Sequence, residues 1–316
     1  PGGILREAVK SVSWFIDRNE LVVKTKGKID RWNKKYQTTT GPVDKDIPMT
    51  VLVDGNSASA SEIVSGALQD YDRAVVLGKQ TYGKGLVQQA KNLPYNAKLK
   101  LTIAKYYIPS GRCIQAREYS DGKAKRKADS AMMTFKTENG RKVHDGDGIT
   151  PDVKVSSKDY PKVVRNLLKE RHLFSFANQY RNNHDSIPEP GVFEITDELY
   201  ASFTSYLEEQ NYEYETQTEK KLQALRNKAK KEKYYDEISG TIDKLANQVD
   251  ANKANDLQLH RTAIEKLLEE RIVSRYYYRS GKIKASLDND NYVQKSLAIL
   301  NDPERYRDIL HIQQKN

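Results

Sequence analysis

The sequence predicts a two-part protein, with an α/β part over residues 1–155 and a mostly α-helical part over residues 156–316. In the first part, short apolar stretches alternate with helical patterns and glycine- or proline-containing turns, which favours an α/β layer with a mostly parallel sheet. In the second part, apolar residues recur at helical spacing, and charges of both signs alternate along solvated faces. Charge divides the chain at the same place. Residues 1–155 hold 27 Lys and Arg against 17 Asp and Glu, whereas the remainder holds 26 of each.

Each expected element follows from a local pattern of apolar spacing, β-branched or aromatic enrichment, or turn chemistry. In the first part we expect a helix over 4–17, a strand over 20–25, a polar loop or weak hairpin over 26–46, a buried strand over 47–53, a serine-rich turn, a helix over 62–70, a strand over 73–78, a glycine-bracketed loop over 81–85, a long strand over 99–108, a turn over 109–111, a charged stretch over 116–129, a small hairpin around 138–140 and a short strand over 153–155. In the second part we expect helices near 160–176, 196–210, 216–248 (broken near Gly240), 257–278 and 290–300, then a turn near Pro303.

The composition excludes little by itself. One cysteine rules out an intrachain disulfide, and no apolar stretch is long enough to span a bilayer. The net charge of +10 allows a nucleic-acid binder as a weaker hypothesis, but the basic residues come in short pieces, 31–35 and 123–127, without a long basic helix.

Serines fill the turn between the buried strand and its helix, where residues 55–63 have the sequence GNSASASEI. A hydroxyl there stands at a helix start, where free backbone N–H groups stabilise a developing negative charge. The alternative interpretation is structural, because Ser59 and Glu62 have the spacing of a capping box.

A serine nucleophile needs a base, and histidine is the usual one. None of the five histidines has a context that suggests a triad, and the Gly-x-Ser-x-Gly elbow is absent from the turn. Lys84 is the alternative, because glycines flank it and it follows a buried strand. Loops that follow adjacent parallel strands open on the same sheet edge, so Lys84 and the serine turn are expected to meet. The plain alternative is an exposed lysine in a turn.

Several ordered motifs together resemble the signature blocks of the carboxy-terminal processing (tail-specific) peptidases, a Ser/Lys-dyad family. These motifs are GNSASASE at 55–62, QDY at 69–71, TYGKGLVQ at 81–88, PGG at 1–3, KYYIPSGR at 105–112 and GITPD at 148–152. The resemblance covers about the first half of the chain. It implies a crotonase/ClpP-like layered α/β peptidase core, truncated at its N-terminus, followed by a helical C-terminal domain.

The resemblance also implies a role for particular residues. It makes Ser59 the nucleophile and Lys84 the general base, with Gln88, one helical turn beyond the lysine, helping to orient it. Asp70 takes a supporting, structural role. Ser57 and Ser61 remain as alternatives to Ser59.

The oxyanion site implied by the resemblance uses two backbone N–H groups. One belongs to Ala60, and the other belongs to either Gly2 or Gly3, between which the sequence does not decide.

The function implied is a serine endopeptidase that cleaves proteins near their C-termini through an acyl-enzyme, with no cofactor and no metal. A PDZ-like domain is expected to precede the core in the whole protein, and a periplasmic or cell-envelope location is expected from the family. The helical part is expected to bind an adaptor or form a homodimer, with no nucleic-acid partner. The competing hypotheses are a non-catalytic scaffold acting through the helical part and a crotonase-like acyl enzyme.

Overall fold

A computed structural model describes residues 2–120, 123–156 and 159–312. Its internal contacts divide the chain into two compact units. Unit 1 comprises Pro1–Ser157 together with Asn291–Asn316, and unit 2 comprises Lys158–Asp290.

Unit 1 is a mixed α/β structure, as the sequence predicts. Its helices are α1 (Leu5–Ser13), α2 (Ala60–Asp70), α10 (Asn291–Leu300) and α11 (Pro303–Leu310). Its strands are β1 (Leu21–Lys26), β2 (Lys34–Gln37), β3 (Thr50–Val53), β4 (Val75–Gly78), β5 (Leu86–Asn92), β6 (Lys98–Tyr107), β7 (Arg117–Ser120), β8 (Lys123–Arg126), β9 (Thr134–Lys136), β10 (Lys142–His144) and β11 (Val153–Lys154).

The strands before the serine turn and before the lysine loop are neighbours in a parallel sheet with the order β11-β4-β3. Every residue of β4 is buried, and its side chains alternate between two cores. Val76 packs with residues of α1 and α2, whereas Val75 and Leu77 pack with residues of α10 and α11. The sheet is therefore covered on both faces, as parallel sheets usually are.

The long predicted strand lies in a different, antiparallel sheet with the order β2-β1-β6-β5. The mostly parallel arrangement expected from the sequence therefore holds for only three strands. The physical reason is the tight connection between β5 and β6, in which Tyr95 and Asn96 have positive φ angles of 60° and 56°. Such a hairpin turn can join only antiparallel strands.

The chain after residue 290 belongs to the α/β unit, whereas the helices that precede it form unit 2. The helical domain predicted over 156–316 therefore extends beyond unit 2, which ends at Asp290. Ile299, Tyr306 and Leu310 are buried in one cluster with β4, and the Tyr306 hydroxyl accepts a hydrogen bond from Met49 N at 3.0 Å. A second difference is that α11 is a helix where a turn was expected, with Pro303 in its first turn and Asp302 as its N-cap.

Unit 2 is helical throughout its regular elements. They are α3 (Lys162–Lys169), α4 (His172–Asn183), α5 (Asp197–Glu209), α6 (Gln217–Glu232), α7 (Tyr235–Ala254), α8 (Asp256–Leu259) and α9 (Arg261–Ser286). One core joins most of them, with Phe203, Ile264 and Leu268 fully buried.

Two helix ends in unit 2 differ from the sequence-based expectation. The helix expected over 160–176 is two helices, separated at Arg171 with φ 63°. The break expected near Gly240 lies instead at Lys233, whose left-handed conformation ends α6. In the described part of the chain, no helix combines the length and apolarity needed to cross a membrane.

Candidate active site

Ser59 stands at the junction between the turn after β3 and helix α2, with φ 58° and ψ −117°. A positive φ is uncommon for serine and costs energy that the surroundings must supply. The preceding turn supplies part of it, because Asp54 Oδ1 accepts hydrogen bonds from Asn56 N at 2.9 Å and Ser57 N at 3.1 Å. Burial opposes the charge on Asp54, but these hydrogen bonds lower the pKa of that carboxyl below its ordinary value. Hydrogen bonds to the Asp54 carboxylate thus stabilise the turn that precedes Ser59.

The two glycines proposed for the oxyanion site lie in different surroundings. A Cβ added to Gly2 would lie 2.9 Å from Ala58 O, 3.0 Å from Ser59 Cβ and 3.6 Å from Ala60 N, whereas a Cβ on Gly3 would meet nothing within 4 Å. Gly2 is therefore the one that packs against the serine turn, and this close approach requires a glycine. The described contacts give the Ala60 N–H no hydrogen-bond acceptor, as expected for the first N–H of a helix.

The Glu62 carboxylate joins the serine turn to the lysine loop. It is fully buried. One oxygen accepts from Ser59 N at 2.8 Å and Lys84 N at 2.9 Å, and the other accepts from Gly83 N at 2.7 Å and the Thr81 hydroxyl at 2.5 Å. The capping-box spacing is therefore real, but the carboxylate reaches beyond its own helix and brings the backbones of Ser59 and Lys84 to the same oxygen atom.

Two glycines with positive φ, Gly83 in the lysine loop and Gly148 in the block at 148–152, allow close contacts around the lysine loop. Gly83 has φ 80°, and a Cβ there would lie 2.3 Å from Ala116 Cβ. Gly148 has φ 69°, and a Cβ there would lie 2.6 Å from the Thr81 hydroxyl and 3.0 Å from a Glu62 carboxylate oxygen. The block at 148–152 thus packs against the carboxylate that holds the loop, and a side chain at either glycine would separate them.

Tyr106 adds a hydroxyl to this site. It donates a short hydrogen bond to the Lys84 carbonyl. Burial raises the pKa of Tyr106 against the opposing effect of a hydrogen bond with the Ser59 side chain. The Tyr106 hydroxyl thus bonds to the backbone of Lys84 and lies close enough to the Ser59 side chain to influence the pKa of Tyr106.

The side chains of Ser59 and Lys84 are both half-buried. Among the described residues, no hydrogen bond joins Ser59 Oγ to Lys84 Nζ, and no carboxylate pairs with the Lys84 ammonium. The described ranges also contain no group of three or more His, Cys, Asp or Glu that could hold a metal ion.

Gln88 does not lie one helical turn beyond Lys84, because residues 86–92 form strand β5. Its side chain is exposed, and the pairing with β6 is irregular between Val87 and Gln88. The helical placement of Gln88 is therefore wrong, whereas its role in orienting Lys84 stays a prediction. Leu86–Asn92 has mixed polarity without alternation and is exposed over most of its length, so no period-2 pattern marked it as a strand.

Asp70 lies at the far end of α2, away from the serine. Its carboxylate accepts from Ser110 N at 2.9 Å and pairs with the Arg112 guanidinium at 2.8 Å, with both side chains 1% exposed. Burial raises the pKa of Asp70, and the guanidinium and the Ser110 amide oppose that rise. Arg112 also donates to Gln69 at 2.7 Å. The contacts of Asp70 tie the α2 end to the turn after β6, which is a structural arrangement.

Sequence reasoning missed the reach of Glu62 and the part played by Tyr106. Glu62 was interpreted only as half of a capping box, and its spacing from Ser59 contains no information about residues 81–84. Tyr106 lies inside the KYYIPSGR block, so its motif membership was the only signal that could have identified it.

Two protein-family models match separate parts of the chain. Residues 1–122 match the model of peptidase family S41. Residues 163–300 match the model described as the C-terminal helical domain of a probable PDZ-protease.

Curated relatives match over part of the chain. The carboxy-terminal-processing protease of Bartonella bacilliformis is 44% identical over 115 residues, which cover 36% of this chain and 26% of that protein. A probable CtpA-like serine protease of Staphylococcus haemolyticus is 32% identical over 163 residues, which cover 52% of this chain and 27% of that protein. The chain thus spans about a quarter of the length of these relatives.

Solved structures also resemble the chain. The photosystem II D1 C-terminal processing protease has a TM-score of 0.37 and 24% identity, covering 53% of this chain and 35% of that one. An S41 protease structure from Bacteroides fragilis has a TM-score of 0.35 and 15% identity, covering 54% of this chain and 41% of that one.

Proposed function

We propose, from the match of residues 1–122 to the model of peptidase family S41 and from the similarity to a carboxy-terminal-processing protease, that this chain is the catalytic part of a serine endopeptidase that cleaves protein substrates near their C-termini. In this proposal Ser59 is the nucleophile and Lys84 is the general base. The observation that supports it best is the buried Glu62 carboxylate, which accepts hydrogen bonds from the backbone N–H groups of both residues.

The first step is attack by Ser59. Neutral Lys84 takes the hydroxyl proton, and Oγ forms a bond to the carbonyl carbon of the scissile peptide. A hydrogen bond between the two side chains is expected to form when substrate binds, because catalytic hydrogen bonds often shorten only in the substrate complex.

The resulting oxyanion needs donors that are already in place. Ala60 N–H, at the start of α2, and the backbone N–H of Gly2 are the two that we propose. The close packing of Gly2 on Ser59 supports this choice over Gly3.

The second half of the reaction reuses the lysine. The tetrahedral intermediate collapses, the C–N bond breaks, and Lys84 gives its proton to the leaving amine. Lys84 then takes a proton from water as that water attacks the acyl carbon, and returns it to Ser59 Oγ when the acid product leaves.

Two pairs of variants test the proposal by cleavage of a peptide with an apolar C-terminal tail and by labelling with a fluorophosphonate. Ser59→Ala and Lys84→Ala are expected to lower cleavage by at least about 10³-fold, and Ser59→Ala to abolish labelling. Ser57→Ala and Ser61→Ala are the matched controls in the same turn. They are expected to cleave the peptide, and to be labelled, as the parent protein does. Cleavage or labelling that survives Ser59→Ala, or that is lost in Ser57→Ala instead, would contradict the assignment.

A further inference from the structure

A cavity of about 680 Å³ lies on the antiparallel sheet of unit 1. Apolar side chains form part of its lining, among them Trp32, Leu86 and Leu101. Five cations are also among the lining residues, namely Lys26, Lys28, Arg31, Lys91 and Lys105. All five are exposed.

The cations of this cavity, which we call the basic cavity, have no anionic partner in the described part of the chain. No acidic residue is among its lining residues, and none of the five cations belongs to an ion pair of the described residues. Lys26 and Lys105 stand directly opposite each other on β1 and β6. Like charges placed so are destabilising, so the fold carries a local electrostatic cost that an anion would relieve.

The sheet is also incomplete beside this cavity. β6 runs from Lys98 to Tyr107, but β1 pairs only with residues 105–107. The chain leaves the sheet at Gly27, where a Cβ would lie 2.4 Å from the Ile103 carbonyl oxygen. Over residues 98–104, no strand of the described chain pairs with the edge of β6 that faces away from β5. An open strand edge is a template for an extended peptide.

The basic cavity is continuous in sequence with the proposed catalytic residues. Leu86 follows Lys84 by two positions, and Lys105 immediately precedes Tyr106, whose hydroxyl donates to the Lys84 carbonyl. A peptide lying on β6 would therefore start beside the residues that carry the proposed chemistry.

From the cations that have no anionic partner among the described residues, the apolar lining and the open edge of β6, we propose that the basic cavity binds an extended segment of the protein substrate that carries acidic and apolar residues. The segment adds as a strand beside residues 98–104, its carboxylates meet Lys26 and Lys105, and its apolar side chains contact Trp32 and Leu101. This inference rests on the proposed function, since its occupant is part of a substrate. It adds a preference for acidic residues that the catalytic site does not explain.

The experiment uses the full chain carrying Ser59→Ala, so that binding is measured without cleavage. The probe is a fluorescein-labelled octapeptide of glutamate, leucine and valine, and its matched control has glutamine for every glutamate. Fluorescence anisotropy at 50 mM and 300 mM NaCl measures both. The glutamate peptide is expected to bind at least about fivefold more tightly at low salt, and high salt to remove most of that difference.

A pair of double variants locates the site. Lys26→Gln/Lys105→Gln is expected to weaken binding of the glutamate peptide about fivefold and of the glutamine peptide less than twofold. Lys123→Gln/Lys125→Gln, which removes two exposed lysines of β8 in the same unit, is expected to change neither. Equal weakening by both double variants would mean nonspecific charge attraction and would overturn the proposal.

Strand addition has its own readout. Peptides with alternate backbone amides methylated lose strand hydrogen bonds, and are expected to bind at least about fivefold more weakly. Hydrogen exchange is expected to slow at residues 98–104 when the unmethylated peptide binds. Protection of these amides in the chain alone, rising with protein concentration, would show a second copy on this edge and overturn the proposal. If the peptides bind as expected but the protein with Ser59 intact cleaves nothing, the proposed function is overturned and the peptide-binding role of the basic cavity is not.

Discussion

The two ends of helix α2 each bury a carboxylate, and they hold it in different ways. At the first turn, Glu62 accepts four hydrogen bonds, all from neutral donors: three backbone N–H groups and the Thr81 hydroxyl. At the last residue, Asp70 faces the guanidinium of Arg112. Both carboxylates are almost completely removed from water.

The difference distinguishes Glu62, which joins two segments of the candidate site, from Asp70, which stabilises the fold. The donors to Glu62 belong to the Ser59 turn and the Lys84 loop, so its loss would release the two segments that carry the proposed catalytic residues. The partners of Asp70 belong to the turn after β6. A buried ion pair stabilises only while both members are present, because removal of one leaves an uncompensated charge.

The largest effect is expected from breaking the pair at the α2 end. Arg112→Ala should destabilise the protein by about 3–5 kcal/mol, because it leaves the Asp70 carboxylate buried without its cation. Urea unfolding measures this. Arg165→Ala is the control, since Arg165 pairs with Asp159 at the surface, and should cost at most about 1 kcal/mol. The double variant Asp70→Asn/Arg112→Met should lose less unfolding free energy than Arg112→Ala. A loss below about 1 kcal/mol for Arg112→Ala would show that the Asp70–Arg112 pair does not stabilise the fold.

The next effect is expected at the other end of α2. Glu62→Gln keeps the side-chain shape but replaces one acceptor oxygen by an NH₂ group. In either orientation of the amide, this group faces at least one N–H donor that it cannot satisfy. We expect a stability loss of about 2–3 kcal/mol and, below the unfolding transition, a fall in kcat of at least about tenfold with KM changed less than twofold.

Glu7→Gln in α1 is the control for this variant, because that carboxylate is exposed and forms its ion pair with Lys10 of the same helix. A Glu62→Gln protein that is less stable but has the parent kcat would show that Glu62 stabilises the fold without positioning Ser59 and Lys84.

The same comparison shows what the sequence could predict. The strand, the turn and α2 follow from local patterns, and the resemblance between motifs identified Ser59, Lys84 and Asp70 as residues of interest. The hydrogen bonds that Glu62 accepts from residues 81–84 and the approach of Tyr106 to Ser59 join segments about 20 or more residues apart. Local spacing contains no information about such contacts, because tertiary packing sets them.

The sheet and the C-terminal helices illustrate the same limit. β5 lacks alternation because most of its side chains are exposed on both faces, so no burial pattern is written into it. The helical patterns of α10 and α11 are local and were partly predicted, but their assignment to unit 1 depends on the outer face of β4, which is more than 200 residues away.

A smaller effect is expected from the hydroxyl that touches both catalytic candidates. Tyr106→Phe keeps the buried ring but removes the hydrogen bond to the Lys84 carbonyl, together with the hydroxyl near the Ser59 side chain. We expect a loss of about 1 kcal/mol in stability and a fall in kcat of about fivefold. Tyr71→Phe is the matched control, because the Tyr71 hydroxyl donates to the Leu21 carbonyl at 2.8 Å. It should lose similar stability with kcat unchanged, and equal kcat values for both variants would assign Tyr106 to the fold alone.

The smallest effect is expected at a third carboxylate, which has neither kind of support. Glu269 in unit 2 is half-buried, and no hydrogen bond or ion pair of the described residues reaches its carboxylate. Burial raises its pKa from 4.5 to about 7, and Glu270 and Glu194 add to the rise.

Because the pKa of Glu269 is higher in the folded state than in the unfolded state, its contribution to stability is fully present below pH 4.5 and is lost as pH rises to about 7. Solvent screening of a half-exposed group limits the change to about 1 kcal/mol. Glu269→Gln should therefore match the parent near pH 4.5 and exceed it by about 1 kcal/mol at pH 8, measured by urea unfolding at both values. Glu208→Gln, on an exposed position of α5, should keep a constant difference from the parent. If Glu269→Gln shows no pH-dependent gain in stability, the Glu269 carboxylate must have stabilising hydrogen-bond or ionic partners in the folded protein, as Glu62 and Asp70 do.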